Sequence, residues 1–193
     1  GHVDVVRLLL DRGAEIERAK EDGETLLWIA CANGHANSVR LLWERGARIH
    51  RTKENGETPL YAACAGGHVE TMRFLLMLGA EVNRARTDGV TPLVVACATG
   101  HVDAARLLLE RGADVAREDS SGTTSLWNAC AEGHLDVAQL LLEHGADVDQ
   151  ADQAGWTPLM VVCQTGPVEA VELLLKHNAD VSRATRGSGS TPL

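Results

Sequence analysis

The chain has 193 residues, of which 45% are hydrophobic and 3% aromatic, and its formal net charge is -9. This apolar share supports a core and excludes a disordered chain, and no run approaches the roughly 20 consecutive apolar residues that a membrane span needs. The acidic balance speaks against a general nucleic-acid binder, which needs clustered Lys and Arg to displace counterions from phosphates.

Taken from the first residue, the chain punctuates itself. Gly23, Gly56, Gly89, Gly122 and Gly155 are spaced 33 residues apart, and Cys31, Cys64, Cys97, Cys130 and Cys163 keep the same period. A strict period of this length is the mark of a stacked repeat. Residues 1–19 read as a half unit with a helix at Val3 to Leu10. Residues 20–52, 53–85, 86–118, 119–151 and 152–184 are full units, and 185–193 opens another with Thr191-Pro192-Leu193. Both ends are expected to cut through repeats. The segment should therefore fray and self-associate through open core faces, and be monomeric in a longer context.

The unit 53–85 shows the local logic. Thr58 can cap a helix, and Pro59 suits the first helical position because its missing N–H is not needed there. This first helix is expected to run to Ala65, where Gly66-Gly67 breaks it. His68 opens a second helix with Val69, Met72, Leu75 and Leu76 on one face, and Gly79 ends it. The polar stretch from Ala80 to Gly89 reads as an extended finger turning at Asp88-Gly89.

These motifs together resemble the ankyrin repeat, with its T-P-L helix start, G-H turn, L-L-L stripe and G-A-D ending, over essentially the whole chain. The resemblance implies an all-α solenoid of stacked helix-turn-helix units with β-hairpin-like fingers. It also implies partners bound along the concave face of fingers and first helices.

Several positions depart from the family pattern. The histidine after T-P-L is replaced by Trp28, Tyr61, Val94, Trp127 and Met160. Leu26 and Ser125 replace the proline, Pro167 the turn histidine and Asn178 the closing glycine. The finger between Asp180 and Gly189 is one residue longer than its predecessor. A finger column normally holding aspartate carries Lys20, Lys53 and Arg86, beside Arg18, Arg51 and Arg84. These six are candidate partner contacts, forming a basic double stripe that gives way to Asp114, Glu118, Asp119, Asp147, Asp149 and Asp152. Trp28, Tyr61 and Trp127 are candidate aromatic anchors, and Trp156 is expected to be the most exposed contact. Met77-Leu78 stand where other repeats carry charged residues, and this apolar pair is read as a second contact, an intramolecular one with flanking sequence, or tolerated drift. Asn83 follows a pattern similar to that modified in ankyrin repeats by an asparaginyl hydroxylase, and is a candidate hydroxylation site.

Each Cys-His pair, such as Cys31 with His35, is two ligands short of a zinc site. The five thiols read as buried small hydrophobes, and the histidines as turn-bonding groups. Unpaired buried thiols fit a reducing intracellular compartment, cytoplasmic or nuclear. No unique catalytic constellation, metal or cofactor site stands out. The expectation is a non-enzymatic scaffold or adaptor binding a protein partner. The alternative is a substrate-targeting segment of a larger enzyme, such as a kinase or ubiquitin-ligase subunit, with catalysis outside these residues.

Overall fold

The computed structural model describes residues 3–187 and 189–192, apart from the side chain of Thr165. Leu193, in the last T-P-L motif, lies outside them. Among the described residues the chain is all-helical. The helices are α1 (Val3–Asp11), α2 (Leu26–Ala32), α3 (Ala36–Glu44), α4 (Pro59–Ala65), α5 (Val69–Met77), α6 (Pro92–Ala98), α7 (Val102–Glu110), α8 (Ser125–Ala131), α9 (Leu135–Glu143), α10 (Pro158–Thr165) and α11 (Val168–Lys176).

Two layers result. The short helices α2, α4, α6, α8 and α10 stack in sequence as an inner layer, and α1, α3, α5, α7, α9 and α11 form the outer one. Each inner helix starts where a threonine hydroxyl accepts from the amide three residues on, as Thr58 does from Tyr61 at 3.0 Å and Thr91 from Val94 at 3.2 Å. Leu26 and Ser125, at the proline position, leave their helices intact because Thr25 and Thr124 make the same cap.

The core is one column per motif. Leu27, Leu60, Leu93, Leu126 and Leu159 are buried between the layers, as are Leu42, Leu75, Leu108, Leu141 and Leu174. Each such side chain contributes roughly 1.5 to 3 kcal/mol by leaving water. Those contacts lie largely between repeats, so the units stabilise one another rather than themselves.

The turn histidines bind the layers together. The ring Nε2 of His68 lies 3.0 Å from Ala32 O, that of His101 3.2 Å from Ala65 O, and that of His134 3.1 Å from Ala98 O. A carbonyl only accepts, so Nε2 carries the proton in each. The ring leaves no room for a side chain opposite: a Cβ on Gly34 would sit 2.4 Å from His68 Nδ1. Pro167 supplies no such ring at the last interface. Asn178 takes over from the closing glycine with a left-handed φ of 64°.

The fingers are turns rather than ladders. Each closes on two backbone bonds, such as Lys53 N to Glu57 O at 2.9 Å and Gly56 N to Lys53 O at 3.0 Å, and only Ala19 and Thr25 form a β-bridge among the described residues. Neighbouring fingers join through single amide bonds: Glu54 N to Asp22 O, Thr87 N to Asn55 O, Ser120 N to Asp88 O, Gln153 N to Ser121 O and Arg186 N to Ala154 O. The longer last finger keeps this link and closes from Thr185 N to Ser190 O.

Gly89 tests how close this stacking is. Its φ is +85°, and an added Cβ would lie 2.9 Å from Asp119 Cα in the next finger. Gly89→Ala is expected to lower stability by more than about 1 kcal/mol, since both the backbone conformation and the space demand glycine. Urea denaturation followed by circular dichroism measures the loss.

Candidate protein-binding surface

The finger row and inner helices place the two sequence-predicted sets, aromatic and basic, against each other. Lys53 reaches back to the preceding repeat, where its Nζ stands 4.5 Å from the centre of the Trp28 ring. The same ammonium lies 3.1 Å from Asp22, 3.3 Å from Glu24 and 3.7 Å from Glu57. One interface further on, the Arg86 guanidinium lies 5.5 Å from the centre of the Tyr61 ring and donates to Tyr61 Oη at 3.2 Å. It also pairs with Glu57 at 3.3 Å and Asp88 at 2.7 Å. Each aromatic and its cation are 25 residues apart in the sequence.

The electrostatics follow from this geometry. Burial disfavours the Lys53 charge, but Asp22, Glu24 and Glu57 outweigh it and raise the pKa above the usual lysine value. The Glu24 amide and then Lys53 hold the Asp22 carboxyl below its ordinary range. Lys20, against some desolvation, and then Lys53 do the same for Glu24. At Arg86, burial is likewise outweighed, first by Tyr61 and then by the carboxylates. The Lys53 side chain is only 15% exposed and that of Arg86 29%, so these two cations belong to the stack.

The later fingers solve the same position differently. Asp119 closes its own turn, accepting from Ser121 N at 2.8 Å and from Thr123 N and Oγ1. Asp152 accepts from Trp156 N at 2.8 Å. In the basic fingers that task has moved two residues on: Asp22 accepts from Glu24 N, Asn55 from Glu57 N and Asp88 from Val90 N. The displaced carboxylate frees the column for a cation.

Of the remaining basic candidates, Arg18, Lys20, Arg51 and Arg84 are exposed. Lys20 pairs with Glu24 at 2.6 Å, Arg51 with Glu17 at 3.1 Å and Arg84 with Glu81 at 3.2 Å. Exposed pairs of this kind are worth little and exchange readily for a partner's acids. Among the aromatic candidates Tyr61 is buried, while Trp28, Trp127 and Trp156 are half-buried. Trp156 is thus less exposed than its sequence position implied. Its carbonyl accepts from Trp127 Nε1 at 3.0 Å, which tethers the turn to α8. Trp28 Nε1, by contrast, is buried without a partner.

Models of ankyrin repeats match residues 1–86, 47–119 and 79–152 in three overlapping copies, and a model of many ankyrin copies matches residues 141–193. The chain belongs to the ankyrin repeat family. Comparison with curated proteins gives no match. Ankyrin repeats are generally protein–protein interaction modules, and repeat domains of this kind are typically non-catalytic. No helix of this ankyrin array is long and apolar enough to cross a membrane among the described residues. Nor do three His, Cys, Asp or Glu side chains gather there as a metal site.

Asn83, the candidate hydroxylation site, is half-buried in a link between repeats. Its Nδ2 donates to Gly112 O at 3.2 Å, and its Oδ1 accepts from Asp114 N at 2.9 Å. The expectation of five buried thiols needs one correction. Cys31, Cys64, Cys97 and Cys130 are covered by the following inner helix, but among the described residues no inner helix follows Cys163 on α10, and it is exposed. Burial pushes the thiols of Cys97 and Cys130 up to about 12 and raises those of Cys31 and Cys64 as well.

Three outcomes are expected. Iodoacetamide should alkylate Cys163 alone in the folded segment of residues 1–193, with the other four reacting only after unfolding, as peptide mass mapping would read. Lys53→Met should cost about 1 to 2 kcal/mol, with a coupling of about 0.5 to 1 kcal/mol to Trp28→Leu in a double-mutant cycle. Because Asp22 and Glu24 have depressed folded pKa values, their pairing with Lys53 stabilises the fold above about pH 4 and is lost as pH falls through those values. The Lys53→Met deficit should therefore shrink in acid, as denaturation at neutral and acidic pH would measure.

Proposed function

We propose that this ankyrin array is a non-enzymatic scaffold or adaptor segment that binds a partner protein along its concave finger and inner-helix surface. The observation that carries the reading is a preformed row of fingers whose charge runs from near balance to a strong acidic excess along its length. The first fingers present Arg18, Lys20 and Arg84 to solvent among acids such as Glu21 and Glu54, whereas the later ones keep Arg117 and Arg183 but add Asp114, Asp147 and Glu118, the last bonded to Gln150. Residues 1–96 carry 12 basic and 13 acidic side chains, against 6 and 14 in residues 97–193. Such a gradient gives a bound segment a direction, because complementary potential sets orientation and on-rate more than raw affinity.

Apolar side chains lie beside these charges. Ile29, Val95 and Val161 are half-buried on the inner helices, beside the half-buried edges of Trp28 and Trp127. Aromatic edges of this kind are the side chains that anchor interfaces. The finger-to-finger amide bonds fix the row before a partner arrives, which reduces the ordering cost of association.

The test is affinity capture from cell extract with the wild type beside a variant carrying Arg18→Glu, Lys20→Glu and Arg84→Glu. The expected outcome is loss of specific partners from the variant at unchanged thermal stability. Retention of every partner would reject the finger row as the binding surface.

A further inference from the structure

The repeats serve as their own reference, and one place departs from them repeatedly in a single chemical direction. Between the C-terminal ends of α3 and α5 and the stretch 47–51 lies an open depression of about 690 Å³, with Trp43, Ile49 and Leu78 as apolar wall and Arg48, His50 and Arg51 as rim. Trp43 stands where other repeats carry leucine, and Leu78 where they carry Arg12, Arg45, Arg111, His144 or His177. Met77, beside it, replaces Asp11, Glu44, Glu110, Glu143 or Lys176. Arg48 replaces an acid in every other unit: Glu15, Glu81, Asp114, Asp147 and Asp180.

Arg48, and His50 beside it, each lack a structural bond that three of their five counterparts make. Asp114 Oδ1 accepts from Ala116 N, and Asp147 and Asp180 close their turns likewise, which Arg48 cannot do. Glu17, Asn83 and Asp149 accept from the backbone amide of the next repeat, whereas His50 makes no hydrogen bond among the described residues. A position that abandons a local structural rule with no compensating contact is expected at functional sites.

What remains is oriented for contact. Trp43 is 43% and Met77 69% exposed, and Trp43 is held edge-on to Phe74 at 5.7 Å between ring centres. Arg40 stacks on the other ring of that pair, 5.1 Å from the Phe74 centre. Arg48 has no ion pair among the described residues, while Arg51 is held by Glu17. We infer that this depression is a second docking site, sharing only Arg51 with the basic finger column, for an acidic peptide segment of a partner protein with one bulky apolar residue. The apolar side chain enters against Trp43, Ile49 and Leu78, and the flanking acids meet Arg48 and Arg51. The volume suits a few side chains, and the net charge of -9 disfavours an anionic bilayer as the occupant.

The array itself supplies a fold-neutral variant. Trp43→Leu, Arg48→Asp, Met77→Glu and Leu78→Arg install the residues that the repeat at 86–118 already carries at Leu109, Asp114, Glu110 and Arg111. The probe is a set of short fluorescein-labelled peptides with a central Phe or Leu flanked by Glu and Asp, beside matched peptides flanked by Lys, read by anisotropy. The expected result is that acidic peptides bind, basic ones do not, and the four-fold variant binds about tenfold or more weakly at unchanged thermal stability. The Arg18, Lys20 and Arg84 variant should bind them as the wild type does, which separates this site from the finger row. The inference is overturned if no acidic peptide binds or if the four-fold variant binds equally well. It is also overturned if the four substitutions abolish only self-association, read by sedimentation, or only binding to vesicles rich in phosphatidylserine.

Discussion

An inner helix of seven or eight residues cannot bury its own apolar side chains, and everything else in this molecule depends on that shortfall. Leu60 and Cys64 become interior only because α2 and α6 lie on either side of α4. The contrast within one column shows the rule at work. Cys130 is covered by α10, while Cys163, the same residue in the same register, is exposed because no inner helix follows it among the described residues. Stability in such a stack is a sum over interfaces, so a substitution at one interface is felt chiefly by the two repeats that share it.

The interfaces are not equivalent. Those between the first three full repeats are latched by a cation lying over an aromatic ring and ringed by carboxylates, at Lys53 with Trp28 and at Arg86 with Tyr61. The next uses Asp119 to close its own finger above an aliphatic Val94, and the one after ties Trp127 to the main chain at Trp156. The latch consumes two of the cations that otherwise read as a continuous basic stripe. What the array offers outward is narrower and better defined: exposed Arg and Lys on the early fingers, and acids on the later ones.

The same economy of exceptions locates the depression at Trp43. Against a strict repeat, each departure must be either harmless drift or a use for which the common residue is unsuited. Asn178 is harmless, since it adopts the left-handed turn in place of glycine, and Pro167 keeps the helix start while giving up the histidine bridge with no new apolar surface beside it. Arg48 and His50 lack bonds that three of the five counterparts of each make. They lack them beside Trp43 and Leu78, so the losses and the new apolar surface coincide.

The period, the helix limits, the capping threonines and the glycine turns were legible in the residues, because each is a local choice repeated in register. The histidine bridge was legible as turn bonding, although its reach into the preceding repeat was not. The pairing of Trp28 with Lys53 was hidden, because the two residues are singled out by different columns and belong to different repeats. A constant spacing of 25 residues was its only trace. Local chemistry repeated at fixed intervals thus determined the fold by itself. Which cation faces solvent, which ring is buried and which thiol is covered were decided only when one repeat was laid against the next, because burial is a property of the pair of surfaces and not of the residue.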